Sequence, residues 1–169
     1  MISTLRAITT DTPEGEFHVI IDETDVARAS GFGDLDELAK RLPEGLRGLA
    51  IMPEKDHPYE AHVRAYFAGD KTALDDIPRD QMGTDFQQRV WRAISDIPYG
   101  QTISYKQLAD ASGNPAAIRA AGTICGLNRL ILLIPCHRVL KSDGSSGNYL
   151  YGVPIKESLL WRERGSIAP

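Results

Sequence analysis

The 169-residue chain carries only two cysteines, and it has no uninterrupted apolar run near the roughly 18 residues that a membrane-spanning helix needs. Its N-terminus also lacks the basic-then-apolar layout of a secretory signal peptide. Cys125 and Cys136 allow one disulfide at most and cannot furnish a zinc quartet, so a disulfide framework and a structural zinc site are both excluded. The expected compartment is the cytoplasm, with reduced thiols of which at least one does chemistry. Hydrophobic residues make up 42% of the chain and charged residues 25%, which excludes disorder, collagen and coiled coil. That content suffices for one sizeable core, or for a main core and a small satellite domain.

The net charge of -4 is unevenly spread. Residues 1–82 hold 9 Lys+Arg against 17 Asp+Glu, whereas residues 83–169 hold 10 against 6. A basic second half can engage phosphates while the acidic first half stays in solvent.

In the first half, Phe17-His18-Val19-Ile20-Ile21 is a β-type run, and Leu5 to Thr9 offers a partner strand across the turn signal Thr12-Pro13-Glu14-Gly15. A hairpin is expected. Tyr59 to Ala68 predicts a helix closed by Gly69. His18, His57 and His62 have no acidic or cysteine partner at ligand spacing and are read as surface or packing residues.

The second half is more sharply punctuated. Thr84-Asp85-Phe86-Gln87 has the form of a capping box, with Phe86, Val90 and Ile94 recurring every four residues to about Asp96. Ser104-Tyr105-Lys106-Gln107 is a second capping box, opening a short helix. Asn114 and Pro115 predict an N-cap and first-turn proline for another helix, running to about Cys125. Two short helices joined by a glycine-containing turn fit a helix-turn-helix or an ordinary helical hairpin. Ala116, Ala117, Ala120 and Ala121 leave a shallow surface from which Arg119 can project, which suits close approach to DNA.

Chemistry enters after that pair. Leu130-Ile131-Leu132-Leu133-Ile134 is an apolar run that predicts a fully buried strand, leading straight into Pro135-Cys136-His137-Arg138-Val139. A thiol reacts as thiolate, and His137 and Arg138 are expected to lower its pKa. Neighbouring strand residues face opposite ways, so Cys136 and His137 are expected to communicate through a water. The alternative for Cys136 is an inert buried thiol. A cysteine protease would need a histidine well separated in sequence, and His137 is adjacent.

The Cys136 segment, taken with Gly83-Thr84-Asp85-Phe86-Gln87, Val90-Trp91 and Ile97-Pro98-Tyr99-Gly100, resembles the 6-O-alkylguanine-DNA alkyltransferases, the methylated-DNA–protein-cysteine methyltransferase family. The resemblance runs from about Gly83 to Gly165. It implies a mixed α/β (α+β) fold, with a small ribonuclease H-like N-terminal scaffold domain at residues 1–80. A mainly helical, winged helix-turn-helix-like alkyltransferase domain would follow at residues 81–169. It implies that Cys136 accepts an alkyl group from the exocyclic oxygen of guanine in a single turnover, through a Glu163-His137-water-Cys136 chain. Asn128 would tie the helix pair to the active-site turn. Tyr105 would crowd a phosphate and return a proton to the base. Tyr149, Leu150, Tyr151, Lys156 and Val139 would surround the base, and Arg119, Ala120, Gly122 and Thr123 would face DNA, with Arg119 entering the stack. A stacked guanine keeps its alkyl group out of reach of a buried thiolate, so the nucleotide must flip. The implied partner is double-stranded DNA containing alkylated guanine, with no cofactor, no metal and no membrane. The protein is expected to act as a monomer, with cooperativity on DNA left open.

Two stretches depart from the family pattern. Leu127-Asn128-Arg129 stands where Gly-Asn-Pro is usual, and Leu150 and Tyr151 replace the small residues after Tyr149. That added volume predicts poor acceptance of benzyl groups while methyl is still accepted. Two other classes compete with transfer: a catalytically impaired alkyltransferase-like lesion-binding protein, and a plain helix-turn-helix regulator.

Overall fold

The structure is a computed structural model that describes residues 1–165; the last four residues of the expected 81–169 domain lie outside the described residues. The chain divides into two compact units: residues 1–82 with 129–133, and residues 83–128 with 134 onward. Secondary structure is mixed α and β.

The first unit is a four-stranded sheet in the order β3-β2-β1-β4, with β1 Leu5–Thr12, β2 Gly15–Asp22, β3 Ala27–Phe32 and β4 Ile51–Glu54. The hairpin of β1 and β2 pairs Thr9 with His18 and closes at Thr12 and Gly15, so Pro13 and Glu14 form its two-residue loop. Gly15 takes φ +104°, which an L side chain resists. Strand β2 lies between β1 and β3, and its last six residues are all buried, as expected for a central strand covered on both faces. Helices α1 (Leu35–Ala39) and α2 (Pro58–Phe67) belong to this unit. Leu5, Ile20, Ala29, Leu38, Leu42 and Leu46 form one apolar cluster. His18 is buried, with Nδ1 beside the Thr9 hydroxyl at 2.8 Å and Nε2 beside the Gly33 carbonyl at 2.6 Å. His57 caps α2 and His62 Nδ1 lies 2.6 Å from the Ala73 carbonyl, so all three are packing residues.

The apolar run at residues 130–134 is buried but is no strand. Leu130 makes a single bridge to Ser30, the Ile131 amide donates to the Ser30 carbonyl at 3.2 Å, and the next residues turn. Leu132 takes φ +66°, which breaks any strand there. Hydrophobicity reported burial correctly and backbone conformation wrongly, because a covered turn needs the same side chains as a covered strand.

The second unit contains α3 (Asp85–Ser95), α4 (Tyr105–Ala111), α5 (Ile118–Gly126) and α6 (Val153–Glu163). Strands β5 (Ile103–Ser104) and β6 (Val139–Leu140) pair in parallel. Both capping boxes form with both of their bonds, at Thr84 with Gln87 and at Ser104 with Gln107. A Cβ on Gly83 would stand 2.5 Å from the Trp91 ring, so glycine is needed for the approach to α3. Trp91 Nε1 donates to the Ile124 carbonyl at 3.2 Å, tying α3 to α5. Helix α5 starts three residues later than Asn114-Pro115 predicted. Those residues form a separate turn, in which the Ala117 amide donates to the Asn114 carbonyl at 3.0 Å, and no side chain caps the helix. Ala116 and Ala117 therefore precede α5, and Ala121 is buried; its exposed face carries Arg119, Ala120 and Thr123.

Candidate active site

Cys136 opens a short 3-10 turn, Cys136–Arg138, after the Cys136 amide donates back to the Ile134 carbonyl at 2.8 Å. The thiol thus sits on a tight turn and not at a strand end. Cys136 and His137 are both buried.

Helix α6 supplies two of the site's charges from one face. Lys156 and Glu163 are seven residues apart, two helical turns, and both are buried with Leu159 and Leu160. Glu163 Oε1 accepts from His137 Nε2 at 2.8 Å, and the carboxylate also takes two bonds from Arg138, Nε to Oε2 at 2.9 Å and a terminal nitrogen to Oε1 at 2.8 Å. The remaining Arg138 nitrogen donates to the Ile97 carbonyl at 2.7 Å, and its guanidinium lies over the Tyr99 ring. Burial alone would raise the Glu163 pKa, but the bonds from His137 and Arg138 overcome it and hold the carboxyl well below its ordinary range.

The His137 pKa is lowered, chiefly by burial and against the opposing pull of Glu163, so the resting imidazole is neutral. With Nε2–H given to the carboxylate, Nδ1 is the basic nitrogen, and it is buried with no hydrogen-bond partner among the described residues. This is the form a general base requires.

The groups that lower the Cys136 pKa are not the expected His137 and Arg138. Arg138 is spent on Glu163, and the Cys136 pKa is lowered by a hydrogen bond from the Cys125 thiol, against the cost of burial, with Asn128 and the Lys156 ammonium also favouring the thiolate. Cys125, by the same pairing, is pushed up. Asn128 sits just past the end of α5 and donates through Nδ2 to the Ile134 carbonyl at 2.9 Å, fixing the turn that carries Cys136. Lys156 Nζ donates to the Val139 carbonyl at 2.7 Å; burial depresses its pKa.

Tyr105 is the first residue of α4 and is half-buried. Burial, then the charges of the Cys125 and Cys136 sulfurs, push its phenol up to about 12, so it keeps its proton. A Cβ on Gly147 would lie 3.3 Å from its hydroxyl, and Gly122 of α5 faces its ring. Tyr149 and Tyr151 pack edge to face at 6.2 Å, both half-buried, while Leu150 is exposed. Arg119, Ala120 and Thr123 share the outer face of α5, with the Thr123 hydroxyl donating to the Arg119 carbonyl at 3.1 Å. Sequence reasoning missed Cys125 as a partner of Cys136; its only local signal is that Ala121, Ile124, Cys125 and Asn128 fall on one buried face.

A thiol biased toward thiolate, a neutral imidazole and a buried carboxylate define the site as that of an activated cysteine. Residues 85–165 match the family described as 6-O-methylguanine DNA methyltransferase, DNA binding domain. A methylated-DNA–protein-cysteine methyltransferase of Shigella flexneri is 36% identical over 158 residues, 90% of this chain and 91% of that protein. The bifunctional transcriptional activator/DNA repair enzyme Ada of Escherichia coli is 34% identical over 160 residues, and the match spans 94% of this chain but only 42% of Ada. A crystal structure of Mycobacterium tuberculosis OGT in complex with DNA aligns with TM-score 0.80 and 33% identity, over 96% of each chain. The chain belongs to the methylated-DNA–protein-cysteine methyltransferase family.

Proposed function

We propose that this chain repairs DNA by direct reversal, moving a methyl group from the exocyclic oxygen of a flipped guanine to Cys136 in one turnover. The observation that carries this reading is the buried chain of groups behind the thiol. Glu163 holds the His137 Nε2 proton at 2.8 Å and leaves Nδ1 basic beside a cysteine whose pKa is lowered.

Nδ1 takes the Cys136 proton through a water, and Glu163 stabilises the imidazolium that results. The thiolate sulfur attacks the methyl carbon, an S–C bond forms and the C–O bond breaks. The electron pair stays on guanine, which takes a proton from the Tyr105 hydroxyl as the phenolate regains one from the His137 imidazolium through solvent, so that no charge is left over. The thioether does not revert, so each molecule acts once. Tyr149, Tyr151, Leu150, Val139 and Lys156 surround the base, and Arg119, with Ala120, Gly122 and Thr123, faces the duplex as the second helix of a winged helix-turn-helix. Residues 1–80 serve as a ribonuclease H-like scaffold. The protein acts as a cytoplasmic monomer.

The test is intact-mass measurement after incubation with a duplex bearing one O6-methylguanine. A gain of one methyl that maps to Cys136 and disappears in Cys136→Ala is expected. Binding without mass gain would sink the transfer reading in favour of lesion sensing, and preference for an undamaged sequence would favour a regulator.

A further inference from the structure

Cys125 stands in a place the transfer scheme does not use. It lies on the last turn of α5, buried, and its thiol donates to the backbone carbonyl of Cys136 at 3.9 Å. The two thiols are free, so the pair is not locked as a disulfide.

The Cys125 S–H that reaches the Cys136 carbonyl oxygen has a second acceptor on the same residue, the Cys136 sulfur. While Cys136 is a thiol, its sulfur is a weak acceptor and the carbonyl wins. Once Cys136 ionises, the buried sulfur becomes a strong acceptor, because a hydrogen bond to a charged group in a low-dielectric site is about twice as strong as a neutral one. We propose that Cys125 is a positioning residue for the nucleophile: its thiol proton swings from the Cys136 carbonyl to the Cys136 sulfur when the thiolate forms, holding the sulfur ionised and oriented until it attacks. The direction of the two pKa shifts, Cys136 down and Cys125 up, agrees with this division of labour.

Other groups face the same sulfur from every side. Lys156 comes from α6, Tyr105 from α4 and Asn128 from the end of α5, while His137 adjoins in the 3-10 turn. Lys156 supplies charge, but its Nζ is bound to the Val139 carbonyl at 2.7 Å, and Asn128 is bound to the Ile134 carbonyl. Asn128 favours the thiolate while it holds the turn, whereas the bond that Cys125 makes to the carbonyl can be traded without dismantling that turn.

The inference rests on the alkyl-transfer reading for its purpose, but thiol ionisation can be read without DNA. Iodoacetamide labelling of Cys136, mapped by peptide mass across a pH series, is compared among wild type, Cys125→Ser and Cys125→Ala. Both variants lose the sulfur's bulk, and only serine keeps a donor. The alanine variant is expected to move the labelling midpoint up by roughly one pH unit, about a tenfold loss of rate at neutral pH. Its plateau at high pH should equal that of wild type, and serine should restore most of the neutral rate. Superimposable profiles for wild type and Cys125→Ala overturn the proposal. So does an equal upward shift in the serine and alanine variants, which would make packing the cause. Single-turnover methyl transfer is followed on the same samples. If wild type labels as described but transfers no methyl, the proposed function fails and the Cys125 role stands; if transfer proceeds with unshifted profiles, the reverse holds.

Discussion

His137 Nε2 donates to Glu163 Oε1 across 2.8 Å with both side chains essentially removed from solvent. Because the same carboxylate receives two bonds from Arg138, it both orients the imidazole and neutralises a partly buried cation.

Replacing Glu163 therefore disturbs two partners at once. In Glu163→Gln the amide loses the charge that Arg138 needs and no longer dictates which imidazole nitrogen keeps its proton. Methyl transfer is expected to fall about 100-fold or more, and unfolding free energy by about 3–5 kcal/mol. Stopped-time transfer assays and urea melts check the two effects. A variant that keeps full transfer rate would remove Glu163 from the proton path.

The same network sets an acid limit on stability. The His137 pKa lies below its ordinary 6.5, so below about pH 6.5 the unfolded chain binds a proton that the folded chain refuses, and stability falls with pH. Glu163, also depressed, contributes stability that is complete above its ordinary 4.5 and is lost as pH falls from there toward its folded value. Unfolding midpoints from about pH 7 to 3 should decline in these two stages, and Glu163→Gln should flatten the lower one. An unchanged lower slope in that variant would place the acid sensitivity elsewhere.

Lys156 is buried, which lowers its pKa, and its ammonium gains from the Cys136 sulfur once that thiol ionises. Methylation of Cys136 abolishes that partner's capacity to ionise, so the methylated protein should melt a few degrees below the unmodified one, at about 2–4 °C per kcal/mol for a chain of this size. Lys156→Met should shrink the gap and slow transfer at neutral pH by about tenfold. Scanning calorimetry of both forms of both proteins decides this, and an identical gap in the variant would exclude Lys156 as its cause.

Arg119 projects from the exposed face of α5, so its removal should leave folding intact and weaken DNA binding. Arg119→Ala is expected to cost about 1–3 kcal/mol of binding to duplex with no change in melting temperature. Fluorescence anisotropy at two salt concentrations measures it. Equal affinity for wild type and variant would take α5 out of the interface.

Tyr151 packs against Tyr149, whereas Leu150 is exposed, so any narrowing of the base site falls on Tyr151. Methyl transfer should outpace benzyl transfer in the wild type, and Tyr151→Gly should close much of the difference. Comparable methyl and benzyl rates in the unmodified protein would refute the narrowing.

What could be read beforehand followed from local chemistry. Thr84 with Gln87, and Ser104 with Gln107, each encode a helix start within four residues, and Pro13-Glu14 before Gly15 encodes a hairpin. Strand β3 was illegible because Ala27, Ala29, Ser30 and Gly31 favour no strand; it exists because β2 offers it hydrogen bonds. The Glu163-to-His137 link was anticipated only through resemblance, since 26 residues separate the pair. The approach of Cys125 to Cys136 was invisible, because the two are eleven positions apart and the path between them depends on the reversal at Leu132.

That reversal also determines how the chain can be dissected. Residues 129–133 belong with the first unit, where Ser30 accepts from Ile131 and Gln81 from Arg129, yet they are interpolated between Asn128 and Ile134 of the second. Severing the chain after Met82 would take from the cysteine-bearing fragment Ser30, Arg79 and Gln81, whose hydrogen bonds hold this apolar loop. Such a fragment is expected to expose apolar side chains that the intact chain buries, so a sheet that contributes no reacting atom would still govern whether the cysteine-bearing part can be isolated.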